Sequence, residues 1–551
     1  MIQKPTITIP REAIYILSQL QSAGFEAYIV GGAVRDLIRL YRPDNFKSIS
    51  QISPLLSPYS FDYDFATQAK PEEMLQLFTD SFCENDFGTV SITLENLWDQ
   101  MGVSKAYRQN FDSLIKSLTP PTSTKIIDLV HAKKVHISLK NESKSLETNL
   151  QSSPPHQAKI PNFEITTYRS KELYENGPRK PSSLSWGKSL PEDLTRRDFT
   201  INALALAISP QTVRDLWRVF QNEDSLSIAL EPALYELIDE HHSLADLARG
   251  QIKTVGDPHQ RFQEDALRML RAIRLAVQLD FQIDSQTLEA IQTNAKLLEQ
   301  ISWERIRDEF LKMLSSYQSR RAIELLDETN LLSHILPELL ATKGVKQGGH
   351  HTTDVWTHAL DAVQACPSRD PIVKLASLLH DIAKPQTSAE KSGQITAYNH
   401  EVIGSRVAKQ IARRLKLSSH DQQRIFILTR FHMFHYQPQN TDASIRRFMR
   451  QVGLENIDDI LDLREGDRLG SGARKTSWRL EEMKQRMIEQ LNQPLDTTDL
   501  AVNGHDLIQE LKLQPGPKIG QILQTLLEKV LDEPGLNQKE ILLKLAQKEA
   551  A

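Results

Sequence analysis

Phe61-Asp62-Tyr63-Asp64-Phe65-Ala66-Thr67 places two carboxylates two residues apart within an apolar run. Read as a β-strand, it points Asp62 and Asp64 to the same face, because side chains alternate along an extended chain. Adjacent carboxylates on one rigid element form a seat for magnesium, which prefers oxygen ligands and is commonly shared with substrate phosphates. Two such ions can clamp the attacking and leaving oxygens of a phosphoryl transfer. Taken alone, Asp-x-Asp is more often a turn facing water, and the surrounding sequence overturns that reading.

Upstream, Ile14, Leu17 and Leu20 recur at helical spacing until Gly24, and Phe25–Val30 reads as a strand. Gly31-Gly32-Ala33-Val34-Arg35-Asp36 then turns the chain into a second helix through Leu40. Strand, glycine turn and helix suit phosphate, since glycine lets the backbone approach closely and a helix start offers free N–H groups. The Gly-x-Gly-x-x-Gly of a dinucleotide fold is absent.

Downstream, 41–60 reads as a loop insertion, Pro71–Phe78 as a helix and Phe87–Ile92 as a strand. Residues 94–161 read as a surface insertion rich in Ser, Pro and Lys, with one hairpin pairing Ile126–Val130 and Val135–Leu139. Phe163–Arg169 is a strand in which Glu164 faces away from Phe163 and Ile165. Glu164 is a third carboxylate of the site if this strand pairs near Asp62, and a solvent-facing residue otherwise. Residues 171–188 suit a basic loop near a polyanion. Arg196-Arg197-Asp198-Phe199-Thr200-Ile201-Asn202-Ala203-Leu204 reads as a helix-forming run whose polar groups need partners, either a ribose and triphosphate or a structural ion-pair cluster.

At 551 residues the chain exceeds one hydrophobic core. With 40% hydrophobic and 25% charged residues it has an ordinary soluble composition, with no apolar run of membrane-spanning length and no signal-peptide core at the start. A cytoplasmic protein is expected. Two cysteines, Cys83 and Cys366, exclude a disulfide framework and a thiolate zinc site. The net charge of −5 leaves local basic surfaces open.

Taken in order, the Gly31–Asp36, Asp62–Asp64 and Arg196–Ala203 motifs resemble those of the polymerase β-like nucleotidyltransferases. In particular they resemble the class II CCA-adding tRNA nucleotidyltransferases and the related bacterial poly(A) polymerases. The resemblance runs to the C-terminus, leaving chiefly 41–60 and 94–161 uncovered. It implies an α+β protein: an α/β nucleotidyltransferase head at 1–210, an all-helical neck at 211–345, an HD domain at 346–470 and a helical tail at 471–551. The implied reaction adds CMP and AMP from CTP and ATP to the tRNA 3′ end, with Asp62 and Asp64 holding Mg2+ and Glu164 assisting. Gly31, Gly32 and Arg35 would cradle the triphosphate, and Arg197, Asp198 and Asn202 would hold sugar and phosphates. A poly(A) polymerase, or an enzyme adding only CC or only A, shares these motifs.

Pro258 is expected to start a helix carrying Asp265, Arg268, Arg271 and Arg274, with Asp265 and Arg268 on one face. The resemblance implies that this pair reads the incoming base, with Arg271 also on the nucleotide. Adenine and cytosine each present an amino donor beside a ring-nitrogen acceptor, which matches a carboxylate beside a guanidinium. Guanine and uracil reverse that order and would leave groups unpaired, at about 1–3 kcal/mol each. In Ile301–Phe310, Ser302 could cap the helix, and Arg305 and Arg307 are read as bracing the base-reading helix.

Eight of the sixteen histidines fall between His350 and His435. His358, the His380-Asp381 dipeptide and Asp467 resemble the ligand pattern of HD phosphohydrolases, with His400 and His432 as further candidates. That resemblance implies a divalent metal and either phosphatase or cyclic-phosphodiesterase action on RNA ends, or a metal kept for structure. A rival reading is therefore an HD hydrolase whose head merely binds nucleotide or RNA. The helical tail, with Ile522, Leu523, Leu526 and Val530 on one side, would pack on the body or hold tRNA.

Overall fold

Tyr63–Thr67 is the central strand of a seven-stranded sheet in the computed structural model, which describes residues 4–41, 62–83, 88–118, 163–173, 183–348, 353–391 and 394–550. The strand order is Glu236–Ile238, Ala205–Ala207, Ala27–Val30, Tyr63–Thr67, Phe163–Thr167, Thr89–Ile92 and Phe82–Cys83. Every pairing is antiparallel except that of Tyr63–Thr67 with Phe163–Thr167. The α+β class expected from sequence holds.

Three corrections concern this first unit. The sheet reaches Ile238, and Ile7–Pro10 pairs with Ser227–Leu230, so a head boundary at 210 cuts through paired strands and the stretch after it is not all-helical. The second correction is that the insertion expected from residue 94 begins with two helices, Leu94–Met101 and Lys105–Leu118. They are tied to the first helix because the buried Glu12 carboxylate accepts both Trp98 Nε1–H and Tyr107 O–H at 2.8 Å. The 41–60 loop and the 126–139 hairpin lie outside the described residues. Lastly, the 171–188 loop is in part a hairpin, Arg169–Leu173 with Ser183–Trp186.

The described residues fall into two compact units. One comprises those of Met1–Pro121, Asn149–Met313 and Glu324–Ile335, and the other those of Leu314–Ile323 and Leu336–Ala551. In the second unit Val373, Leu428 and Met449 share a core with Met483, Met487, Leu526 and Leu527. The expected HD domain and helical tail therefore bury one continuous apolar cluster. In the tail helix Pro517–Asp532, Ile522, Leu526 and Val530 face that core, as their spacing requires. Among the described residues, no helix is long and apolar enough to cross a membrane.

Candidate active site and metal centre

Sheet register assembles the carboxylates. Asp64 lies opposite Val30 on one side and opposite Glu164 on the other, so the third carboxylate is an immediate cross-strand neighbour. Asp62 is exposed just before the strand begins. Burial pushes the Asp64 carboxyl above its ordinary value, Arg197 opposes that push, and Asp62 adds to it. All three acidic groups line a cavity of about 640 Å³. An all-oxygen donor set with one carboxyl driven toward protonation fits a hard divalent cation, whose charge would relieve the repulsion.

The glycine turn meets this site directly. Gly31 has φ +75°, and a Cβ built there would stand 2.8 Å from Arg197 Nη1 and 3.2 Å from Asp64 Oδ2. Only glycine allows the turn, the arginine and the carboxylate to converge so closely. The helix Gly32–Leu40 begins there, and Gly31, Gly32 and Arg35 line the cavity, so a helix start of the kind that favours anions borders it. Arg35 is held by Asp36 and donates to Asn202 Oδ1 at 2.6 Å, so it also braces the turn.

The Arg196–Leu204 run is not the expected helix. Helix Leu190–Thr195 ends before it, and a short 3-10 turn covers Thr200–Asn202. The breaks let each polar group point separately into the cavity. Asp193, missed in the sequence, binds both Arg196 and Arg197 while 1% exposed. Its signal was the i, i+3 and i, i+4 spacing of acid to arginine. Asp198 accepts from Phe199 N–H, from Asn202 Nδ2 at 3.2 Å and from Arg271 Nε at 2.8 Å. Against its burial, Arg271 and then the Asn202 hydrogen bond hold its carboxyl down at about 2.

The segment expected to read the base also departs from its expected shape. One helix spans Pro258–Glu264, Asp265 is extended at φ −148° and ψ 104°, and a second helix spans Leu267–Leu279. Asp265 and Arg268 therefore do not share a continuous helix, although both line the cavity. Arg268 pairs with Glu264, and Asp265 with Arg305 at 2.7 Å. Arg274 meets Glu309 at 2.7 Å, so the helix Trp303–Leu314 supplies two braces, Arg305 and Glu309. Arg307 pairs instead with its neighbour Asp308. In all, eight arginines and six carboxylates line the cavity, a balance suited to a triphosphate with bound cations.

In the second unit His358, His380, Asp381 and Asp467 come together, and His400 and His432 join them. Gly466 makes this meeting close: a Cβ there would lie 2.6 Å from the Ala362 carbonyl, so the helices Ile457–Gly470 and Val355–Ala365 touch along their backbones. His358 Nε2 lies 3.1 Å from His380 Nε2 and 3.2 Å from Asp467 Oδ1. His400 Nε2 lies 3.3 Å from His432 Nε2 and 3.2 Å from Asp381 Oδ1, while Asp381 Oδ2 lies 3.2 Å from His380 Nε2.

His380, His400 and His432 each set Nδ1 against a backbone carbonyl, of Ser377, Ala397 and Thr429, at 2.6–2.7 Å. Donation there fixes the tautomer and leaves Nε2 lone pairs facing inward. Inward lone pairs and two carboxylates fit cations shared through Asp381, in two ligand groups: His358, His380 and Asp381, then Asp381, His400 and His432. Against its burial, His380 and Lys384 hold Asp381 well below the usual carboxylate range. Lys384, 2.6 Å from Asp381, and Arg464, 2.8 Å from Asp467, were missed in the sequence, though each lies at i, i+3 from its carboxylate.

A mixed sheet carrying paired carboxylates beside a glycine turn, with Asp265 and Arg268 lining the same cavity, defines a polymerase β-like nucleotidyltransferase head. The family model described as "Poly A polymerase head domain" matches residues 27–117 and 105–222, and a second-domain model of the tRNA nucleotidyltransferases matches 396–546. The A-adding tRNA nucleotidyltransferase of Deinococcus radiodurans is 31% identical over 64% of this chain and 78% of its own. The CCA-adding enzyme of Streptococcus thermophilus is 26% identical over 98% of this chain and 96% of its own. The crystal structure of the Bacillus stearothermophilus CCA-adding enzyme in complex with CTP superposes with a TM-score of 0.56 at 23% identity, covering 98% of this chain and 97% of that one, a likeness of fold. The chain belongs to the family of class II CCA-adding tRNA nucleotidyltransferases and bacterial poly(A) polymerases.

Proposed function

We propose that this chain adds CMP and AMP to the tRNA 3′ end, rebuilding CCA without a nucleic-acid template. The observation that carries the reading is the register of Asp64 against Glu164, in one cavity with Gly31 and the Asp265–Arg268 pair. CTP or ATP would enter with its base toward Asp265 and Arg268, its sugar and phosphates near Arg197, Asp198 and Asn202, and its triphosphate along the Gly31–Gly32 helix start. Asp62, Asp64 and Glu164 would hold Mg2+, which supplies charge neutralisation of the phosphates and activation of the 3′ hydroxyl. The hydroxyl oxygen forms the new bond to the α-phosphorus, its proton is lost, and pyrophosphate departs. Such a reaction belongs in the cytoplasm, where tRNA is matured.

Full-length alignment with a CCA-adding enzyme supports complete CCA synthesis over partial addition. The test is to incubate the protein with tRNA lacking its 3′ end, supply CTP and ATP separately and together, and sequence the ends. Ends reading CCA are expected. Poly(A) tails, or ends halting at CC or gaining only A, would overturn the assignment.

A second reading concerns the histidine cluster, favoured by the facing Nε2 atoms 3.1 and 3.3 Å apart. His358, His380, Asp381 and Asp467 would hold one divalent ion, and Asp381, His400 and His432 another. When bound, the ions would supply Lewis-acid chemistry toward a phosphate ester. Lys384 and Arg464 would keep the shared carboxylates ionised and oriented. Release of phosphate from p-nitrophenyl phosphate in the presence of Mn2+ tests this reading, and its absence would mark the cluster as structural.

A further inference from the structure

The cavity of the first unit has two ends, set by strand order. Ala27–Val30 delivers the Gly31–Gly32 turn at one end, Tyr63–Thr67 and Phe163–Thr167 carry Asp64 and Glu164 in the middle, and Thr89–Ile92 brings Thr89 to the other. In-line displacement sets the attacking and leaving oxygens on opposite sides of the phosphorus. With a triphosphate at the glycine end and the carboxylates in the middle, the attacking hydroxyl and the strand that bears it come in over Glu164, Thr166 and Thr89.

Arg169 belongs to that second end. It lines the cavity and its Nη2 donates to Thr89 Oγ1 at 3.0 Å, which in turn lies 3.2 Å from Thr166 Oγ1. Thr166 is two residues beyond Glu164 on one strand and so shares its face. Three contacts fix the backbone around the arginine. Its N–H donates to Asp193 Oδ1 at 3.4 Å, the carboxylate that also binds Arg196 and Arg197. A Cβ on Gly187 would stand 2.7 Å from the Arg169 carbonyl oxygen, so the two chains touch there, and Gly187 N–H donates to the Tyr168 carbonyl at 2.7 Å. Trp186, the register partner of Arg169, lays its ring on Gly88, whose φ of +72° and lack of a Cβ leave room for it. A guanidinium on a backbone so fixed is set in advance for one anion, with little ordering left to do on binding.

The geometry points to Arg169 as the residue that grips the last phosphodiester of the acceptor RNA strand and so sets its 3′ hydroxyl over Glu164. The inference rests on the nucleotidyl-transfer reading above and assigns the Thr89 end of the cavity to the acceptor strand, as the Gly31 end is assigned to the incoming nucleotide.

The test uses the full chain, ATP, and a short RNA primer with a paired stem and a single-stranded 3′ end reading CC. Two further primers carry one uncharged methylphosphonate, at the last linkage or within the stem. In Arg169→Gln, which loses the charge but keeps a donor for Thr89, KM for the primer should rise about tenfold while KM for ATP stays within about twofold. Arg169→Lys should recover much of the loss, with thermal melts to confirm folding. The slope of log KM for the primer against log salt should flatten by about 0.7 in Arg169→Gln, the share of one single-strand phosphate contact. Methylphosphonate at the last linkage should raise the parent's KM about tenfold and change that of Arg169→Gln little, since the pair is already broken. An unchanged primer KM in Arg169→Gln, or equal last-linkage penalties in the two proteins, overturns the assignment. If Arg169→Gln fails to fold, the parent decides by itself: a last-linkage penalty no larger than the stem penalty overturns the contact, and a larger one upholds it. If the parent extends no primer, the nucleotidyl-transfer reading fails, and fluorescence anisotropy of primer binding then decides on Arg169 separately. A last-linkage penalty present in the parent and lost in Arg169→Gln would uphold the phosphate contact, and its absence would overturn it.

Discussion

Arg305 Nη2 sits 2.7 Å from Asp265 Oδ2, so the carboxylate expected to read the base takes a guanidinium from a helix forty residues away. Its other oxygen accepts Leu267 N–H at 3.0 Å, which fixes the carboxylate plane at the break between two helices. Under the proposed reading of the base by Asp265, Arg305 would position that carboxylate. Arg305→Ala should raise KM for ATP and CTP about tenfold with a smaller change in kcat, as one charge-assisted bond of about 1.5 kcal/mol is lost. Discrimination against GTP and UTP in primer extension should narrow. Arg305→Lys restores charge without the planar fork and should rescue only part of it. An unchanged KM in the alanine variant would leave the brace without a role in substrate reading.

Arg268→Ala removes the other half of the pair. The preference for ATP and CTP over GTP and UTP should then collapse in a primer-extension assay. Retention of that preference would mean that the base is read elsewhere.

Asp64 carries a carboxyl raised by burial and by Asp62. A folded-state value raised above the unfolded one gives stability that is present at low pH and lost as pH rises through it, so ionised Asp64 is a cost at neutral pH. Asp64→Asn should accordingly melt higher than the parent at pH 7 in chelator, with the gap closing on acidification. Extension activity should drop at least about a thousandfold, the scale at which a single electrostatic stabiliser acts. A lower melting temperature for Asp64→Asn at pH 7 would contradict the burial argument.

Much of this site was legible because strand periodicity is short. Alternation gave the face of Asp64, whereas Glu164 reached it only through the parallel pairing of the two strands, and Asp62 stands just before the strand. The Pro258 helix misled because its apolar positions continue through Asp265 at helical spacing, while the break there is imposed by contacts from Arg305 and Leu267 N–H. Asp193 escaped notice since its burial depends on two arginines folding back over it. The head boundary failed at Glu236–Ile238, a three-residue strand too short to carry a periodic signal. In the second unit the resemblance singled out histidines and aspartates that the fold brings together, but their division into two groups around Asp381 exists only in three dimensions.

Asp198, held at about 2, has the opposite sign from Asp64. A depressed value contributes stability above the unfolded value near 3.8 that is lost as pH falls through about 2. Asp198→Asn should cost about 2 kcal/mol in urea melts at pH 7, and the difference should narrow below about pH 4. A difference that persists at full size at pH 3 would assign the loss to packing and not to the Arg271 pairing.

The two ligand groups around Asp381 make separate demands on metal content. His358→Ala removes a ligand from the first group and His400→Ala from the second, and neither reaches across to the other. Elemental analysis after Mn2+ loading and desalting should find two ions in the parent and one in each single variant. Asp381→Ala should abolish both, because its two oxygens point at opposite groups, Oδ2 toward His380 and Oδ1 toward His400. Metal should raise the parent's melting temperature, since an ion bound only by the folded chain stabilises it by mass action. That rise should shrink in each histidine variant and vanish with Asp381→Ala. One ion in the parent and none in His400→Ala would replace the shared pair with a single centre, leaving His358 and Asp467 as its hydrogen-bonded supports.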